Sequence, residues 1–341
     1  MTEYRTLIIG CGAIGGTLCA LLCRGGYKVD LLEIAPGAAE KINSEGLKLT
    51  GAAGNVTARV NAIGSYDELD GQYDIVILCV KYLALTAAAK SILPYLKEDS
   101  VVMGMQNGIC TQELASVVGE KRTAGCMIGF GATKLSANEV EMTSGGEMYV
   151  GMADDTVNEK LNALCAMYNS VVPTKVTTEL LRRQFSKLII NCCINATAAI
   201  TGKTLGVLLD DERAQRLFLS IAREGMYVAR AMGVNVPKYG LLLDYRFLML
   251  SDAEIYNRLC SLVVKLVGKT KYADVKPSTL QSLLNGEKTE VDIFNGYLAK
   301  KAEEYGVDAP VNTKLTEMIR DIERGEREMG MDNLAEFYPQ K

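Results

Sequence analysis

Residues 5–26 read RTLIIGCGAIGGTLCALLCRGG, and no other stretch constrains the chain as much. Leu7, Ile8 and Ile9 form a short apolar run of strand character. Gly10, Gly12 and Gly15 follow as G-x-G-x-x-G. Ile14, Leu18, Leu21 and Leu22 then recur at helical spacing, and Gly25-Gly26 closes the helix. Strand, glycine turn and helix in that order are the opening unit of a doubly wound parallel sheet. Each glycine has a mechanical reason. Gly10 permits the tight turn, Gly12 lets a pyrophosphate approach the backbone, and Gly15 lets helix and strand lie close. Ala13 and Ile14 open the helix, whose free N–H groups and positive dipole end suit phosphate. Gly10, Gly12, Ala13, Ile14 and Gly15 are therefore candidate cofactor-binding residues.

The alternation continues. YKVDLLE reads as a second strand ending at Glu33, roughly twenty residues past the glycines, where a carboxylate accepts hydrogen bonds from the adenosine ribose hydroxyls. It also repels a 2′-phosphate, so the residues favour NAD(H). Residues 46–60 alternate around Gly and Asn like an inserted hairpin. YDIVILCVK (73–81) and SVVMGMQNGI (100–109) read as buried strands, the first ending in Lys81 and the second in Gln106-Asn107-Gly108. Strands separated by helical patterns make an α/β, Rossmann-type sheet that takes ligands at its carboxyl ends, where Lys81 and Asn107 fall. An exposed lysine and ordinary Asn-Gly turn chemistry are the plain alternatives for these two.

Composition removes several functions. The 341 residues contain no histidine, which excludes a Ser-His-Asp triad, a His-bearing zinc site and a His-based dehydrogenase. A net charge of −4 without a basic stripe argues against nucleic acid as a partner. No apolar run reaches the ~18–20 residues of a membrane span, and the N-terminus lacks the pattern of a signal peptide. A cytoplasmic location is the expectation. Of the ten cysteines, Cys11, Cys19, Cys23, Cys79, Cys192 and Cys193 sit in apolar runs and read as buried thiols, with no metal site.

After about residue 172 the texture becomes helical, with long stretches at 178–200, 210–232 and 289–305. This suggests a dinucleotide-binding domain over 1–172 and an all-α substrate domain over 173–341. VVPTKVTTELLRRQF reads as a short connection into a Thr-capped helix, and the charged tail RGEREMGMDNLAEFYPQK as peripheral. Within SKLIINCCINAT (186–197), Lys187, Asn191 and Asn195 lie four apart, a polar line about 12 Å long on one helix face. Leu188, Ile189, Ile190 and Ile194 are expected on the other sides. Burying an ammonium without a partner is costly, so the line must meet a cleft, a charged group or a polar ligand. Polar packing between domains is the competing reading. Downstream, Ser278 and Glu290 flank a turn, and Glu290 is expected to open a helix whose apolar face is Val291, Phe294, Leu298 and Ala302. A capping carboxylate is its plain reading.

GCGAIGG, VKY with QNGI, FSKLIINCCINATAA and PSTLQSLLNGEKTEVDIFNG, in this order, resemble the ketopantoate reductase family over about residues 5–320. The resemblance implies NAD(P)H-dependent reduction of a 2-oxo acid, ketopantoate foremost, in pantothenate and CoA biosynthesis. It implies that Lys187 is the general acid and Glu290 the acidic partner that engages the substrate hydroxyl. Asn191, Asn195 and Ser278 would hold the substrate, with Asn107 and Lys81 at the cofactor–substrate junction. It admits NADP(H) and is compatible with a homodimer. The chain departs from the pattern at Glu33-Ile34-Ala35, where NADP-using members carry a basic residue, at Ser282 and at Glu287-Lys288. An opine-type or other 2-oxo acid reductase on the same scaffold is the enzymatic alternative, and a non-catalytic dinucleotide sensor the alternative of another class.

Overall fold

A computed structural model describes residues 4–239, 243–251, 253, 256, 265 and 276–338. The chain divides into two compact units, Met1–Leu181 and Arg182–Lys341.

The first unit runs β1 (Thr6–Ile9), α1 (Ala13–Arg24), β2 (Val29–Leu32), α2 (Ala38–Glu45), β3 (Leu47–Gly51), β4 (Val56–Ala58), β5 (Asn61–Ile63), β6 (Tyr73–Leu78), α3 (Tyr82–Ile92), β7 (Leu96–Gly104), α4 (Thr111–Val118), β8 (Thr123–Met127), β9 (Gly131–Ser136), β10 (Glu139–Ser144), β11 (Met148–Met152), α5 (Glu159–Tyr168) and β12 (Thr174–Val176). An eight-stranded sheet has the order β12-β11-β8-β7-β6-β1-β2-β5. From β5 to β8 it is parallel. β1 and β6 are buried at every residue, as expected of strands covered on both faces. The chain leaves β1 toward β2 on one side and returns to β6 on the other. Right-handed crossovers then put α1 and α3 on opposite faces, and the junction of β1 and β6 is the switch point where ligands bind.

Two features differ from the expectation. β11 is antiparallel to β8, so the parallel sheet ends in a reversed edge. β12 then pairs with β11. The segment taken as a plain connection thus contains a strand, and the sheet carries the first unit on to Leu181. Three residues of strand have too few alternations to be read without their partner. Residues 46–60 do form an antiparallel hairpin, β3–β4. It belongs to a second sheet, β4-β3-β10-β9, which packs on α1.

The second unit is helical. α6 (Leu180–Thr201), α7 (Leu205–Leu208), α8 (Glu212–Ala231), α9 (Ser278–Leu284), α10 (Asn295–Glu304) and α11 (Pro310–Glu323) are its described helices. Asp211 caps α8, accepting from the N–H groups of Arg213 and Ala214. Glu224 of α8 accepts from Val311 N at 2.9 Å, Asn312 N at 2.9 Å and Asn312 Nδ2 at 2.7 Å. It thereby satisfies the leading donors of α11. The C-terminal segment is integrated rather than peripheral. Leu334 is fully buried, and the Gly330 N–H and Asn333 Nδ2 both donate to Ile200 O at the end of α6, at 3.0 and 2.7 Å. Its charges hid one apolar anchor and a helix cap.

Candidate active site

In the first unit the carboxyl ends of the strands are in register. Ile9 pairs with Leu32 on one side and with Leu78 on the other, and Leu78 pairs with Gly104. One residue further, Gly10 N donates to Leu32 O, Cys79 N to Ile9 O and Met105 N to Leu78 O. The ladder therefore sets the glycine turn beside the loops that follow β2, β6 and β7.

The glycines differ in what requires them. Gly10 has φ +96°, a conformation in which other residues are strained. A Cβ on Gly15 would lie 2.0 Å from Gly10 O, so helix and strand could not keep their approach. A Cβ on Gly12 would meet only Cys79 O, at 3.9 Å, an ordinary contact. Packing within the chain needs no glycine there, but a ligand brought against the backbone does. No side chain caps α1, which leaves the leading N–H groups at Ala13, Ile14 and Gly15 for an anion. These residues fit a dinucleotide pyrophosphate.

Glu33 is fixed at the mouth of this turn. Its Oε2 accepts from Cys11 N at 2.7 Å and its Oε1 from Ala35 N at 3.0 Å. Each oxygen keeps a lone pair for a ribose hydroxyl. Lys81 is exposed and precedes α3, while Asn107 is half-buried beyond β7, followed by Gly108 at φ +82°. Gln106 ties their loops together: its Nε2 donates to Leu78 O at 3.0 Å and to Val80 O at 2.8 Å.

In the second unit Lys187 and Asn191 are half-buried on α6, whereas Leu188, Ile189 and Cys192 are fully buried. Ile190 and Ile194 do not lie away from the polar line as expected. They are half-buried and flank it, because three-residue spacing puts 187 beside 190 and 191 beside 194. Asn195 turns inward, to 6 % exposure. Its Oδ1 accepts from Ser278 Oγ at 3.1 Å and Thr279 N at 3.2 Å, and its Nδ2 donates to Asn191 O at 3.1 Å. The structure thus joins Asn195 to Ser278 and to the start of α9. Beside Lys187, the Ser186 carbonyl accepts from the buried Tyr245 hydroxyl at 2.7 Å.

Glu290 does not open an α-helix. It precedes a single 3₁₀ turn, Val291–Ile293, and the backbone breaks at Phe294 before α10 begins at Asn295. The buried Asn295 stands at the new helix start. Its Nδ2 donates to Asn312 Oδ1 at 2.9 Å and reaches the Cys192 carbonyl of α6 at 3.5 Å. Glu290 is half-buried, and Thr289 before it donates its N–H to Glu323 Oε1 at 2.7 Å.

The described cysteines are free thiols. Burial pushes the Cys11 thiol up to about 11, despite its place in the glycine turn, and raises Cys79, Cys192 and Cys193 as well. They are poor nucleophiles. Two residues near the first unit's site escaped the sequence reading. Gln106 was visible in QNGI but overshadowed by its neighbour. Lys134, whose Nζ is 3.9 Å from Glu33 Oε2, had no local signal, since the pairing of β9 alone brings it there.

Comparison with known proteins adds the decisive observation. Residues 6–155 match the family model described as ketopantoate reductase PanE/ApbA, and residues 179–323 match its C-terminal counterpart. The chain belongs to the ketopantoate reductase family. A 2-dehydropantoate 2-reductase of Archaeoglobus fulgidus is 27% identical over 326 residues, 95% of this chain and 100% of the relative. The crystal structure of a PanE/ApbA family ketopantoate reductase from Ralstonia eutropha JMP134 is 25% identical with a TM-score of 0.79, covering 94% of this chain and 99% of that one. D-mandelate dehydrogenase, solved with NADH and anilino(oxo)acetate, is 20% identical with a TM-score of 0.77 over 94% and 99%. This ketopantoate reductase-type chain is an NAD(P)-dependent oxidoreductase acting on a CH–OH group. Among its described residues no helix is long and apolar enough to cross a membrane.

Proposed function

We propose that the protein reduces a 2-oxo acid to the 2-hydroxy acid, with ketopantoate, giving pantoate for pantothenate and CoA synthesis, as the leading substrate. The observation that carries this reading is the stripe of α6 on which Lys187 and Asn191 stand half-buried between Ile190 and Ile194. A cation and an amide framed by apolar side chains suit a small, branched, polar oxo acid. Bound nicotinamide supplies the hydride. Lysine is ordinarily an ammonium at neutral pH. Lys187 Nζ donates its proton to the carbonyl oxygen as negative charge develops there. Asn191 orients the substrate with one amide donor and one acceptor. Asn195 acts mainly through Ser278, whose position it sets. Ser278 Oγ donates to Asn195 Oδ1, and to donate to a substrate carboxylate it exchanges that bond while the Thr279 N–H keeps Asn195 in place. Glu290 accepts from the substrate hydroxyl. In the first unit, the Glu33 carboxylate reads the adenosine ribose and favours NADH.

The test is oxidation of NADH and of NADPH by the purified protein with ketopantoate and a panel of other 2-oxo acids. Rapid NADH oxidation with ketopantoate is the expected result. Faster NADPH oxidation would keep the enzyme and overturn the preference for NADH drawn from Glu33. Turnover of another oxo acid alone would keep the mechanism and move the substrate. Dinucleotide binding with no turnover of any acid would sink the enzymatic reading in favour of a sensor.

A further inference from the structure

Glu33 has a charged neighbour that its own strand does not supply. Lys134 lies on β9, and its Nζ stands 3.9 Å from Glu33 Oε2. The pairing that brings it there is entirely tertiary. β9 pairs with β10, β10 runs parallel to β3, and this sheet packs on α1, the helix that follows the glycine turn. The two side chains are held differently. Glu33 is 11 % exposed and clamped by two backbone N–H groups, whereas Lys134 is 38 % exposed. Because both carboxylate oxygens already accept from N–H groups, Glu33 does not need the ammonium to hold its place. The lysine is a flexible cation at the outer rim of the residue that reads the ribose.

We propose that Lys134 is a specificity-determining residue for the dinucleotide: its ammonium offsets the repulsion between Glu33 and a 2′-phosphate, so that the site takes NADPH as well as NADH. The proposal rests on the reading of Glu33 as the ribose acid. A carboxylate alone presents one negative charge to a phosphate monoester that carries about −1.5 to −2. One positive charge within 4 Å of that carboxylate cancels most of its field at the rim and gives the phosphate a counter-ion. Lysine suits this role, because its compact charge on a four-carbon stem can leave Glu33 for the phosphate. With NADH bound, the ammonium has no phosphate to meet and contributes little. Sequence alone shows the acid without the cation that stands beside it.

The experiment uses the full chain with Lys134→Met, which keeps the stem and removes the charge, and Lys134→Arg, which keeps the charge. kcat/KM and equilibrium binding are measured for both dinucleotides. Lys134→Met should lower kcat/KM for NADPH about tenfold, through KM, and change that for NADH by less than about twofold. Lys134→Arg should retain NADPH, and the loss in the Met variant should shrink in high salt. An unchanged NADPH/NADH ratio overturns the proposal. An equal loss for both dinucleotides also overturns it, since that would mean Lys134 only braces β9 or Glu33. Glu33→Ala separates the two failures. If it leaves NADH binding unaltered, the ribose reading itself is wrong. If it weakens NADH while Lys134→Met leaves the ratio unmoved, only the role of Lys134 is lost.

Discussion

The two units build their candidate sites from different materials. In the first, most of the site is backbone: a turn at Gly10–Gly15, the leading N–H groups of α1, and strand ends aligned by ladder bonds. In the second, the candidate site is a row of side chains on α6, and its supports come from α9, α10 and α11, roughly a hundred residues later. A backbone site tolerates almost no added atoms. A side-chain site tolerates changes in packing but not the loss of a functional group. The difference predicts where each unit should break.

The largest effect is expected in the second unit. Lys187→Ala should cut turnover about 10²–10⁴-fold, the range of a general acid, with dinucleotide affinity unchanged by titration. Loss of affinity in step with turnover would break the separation between the units. Next come two glycines of one turn. Gly15→Ala forces a Cβ to 2.0 Å from Gly10 O and should lower both thermal stability and dinucleotide binding, by about 1–3 kcal/mol or more in stability. Gly12→Ala, whose Cβ would make only an ordinary 3.9 Å contact with Cys79 O, should leave the melting temperature unmoved and weaken binding alone. If both variants melt early, Gly12 serves the fold and not the ligand.

Asn195→Ala should cost about 1–3 kcal/mol in denaturant unfolding, because Thr279 N–H is left buried without its acceptor. The KM for the oxo acid should rise through Ser278, while dinucleotide affinity stays put. A change confined to kcat would assign Asn195 to the reacting atoms instead. The smallest effect concerns Glu224. Burial raises its carboxyl above the ordinary value near 4.5, with Asn312 and Val311 pulling the other way. The folded chain thus holds this proton more tightly than the unfolded chain. Stability from this group is full below about pH 4.5 and is lost as pH rises through the raised value. Glu224→Gln should flatten that stretch of the stability–pH curve and cost less than about 1 kcal/mol at low pH, where the neutral amide resembles the protonated carboxyl. A slope unchanged in the variant would show that another group titrates there.

The first unit was legible because its constraints are local. Glycines two and three residues apart, a strand before and a helix after leave few other folds open. The row Lys187, Asn191, Asn195 was legible as a spacing, since a helix converts every fourth position into one face. What that face met was not legible. Ile190 and Ile194 flank the polar line, and Asn195 turns in to hold Ser278, because neighbouring helices decide how deep each position lies. The apolar run from Val291 to Ala302 suggested one continuous helix from Glu290. The helix starts at Asn295, committed to Asn312 and Cys192, and no count of apolar residues contains those bonds. β12 and the C-terminal segment were missed for the same reason. Each is short, and its stability comes from a partner: β11 for the one and the end of α6 for the other.

By itself, then, the sequence determined the Rossmann-type opening, the helical second half, the exclusion of histidine chemistry and the residue types at both candidate sites. These follow from steric rules and spacings that act within a few residues of one another. The tertiary structure alone decided that Lys134 stands beside Glu33, that Gln106 ties the loops of Lys81 and Asn107, and that Ser278 is hydrogen-bonded to Asn195. Those contacts join segments from 26 to about a hundred residues apart. Their closeness depends on strand pairing and helix packing that no local window of the chain encodes.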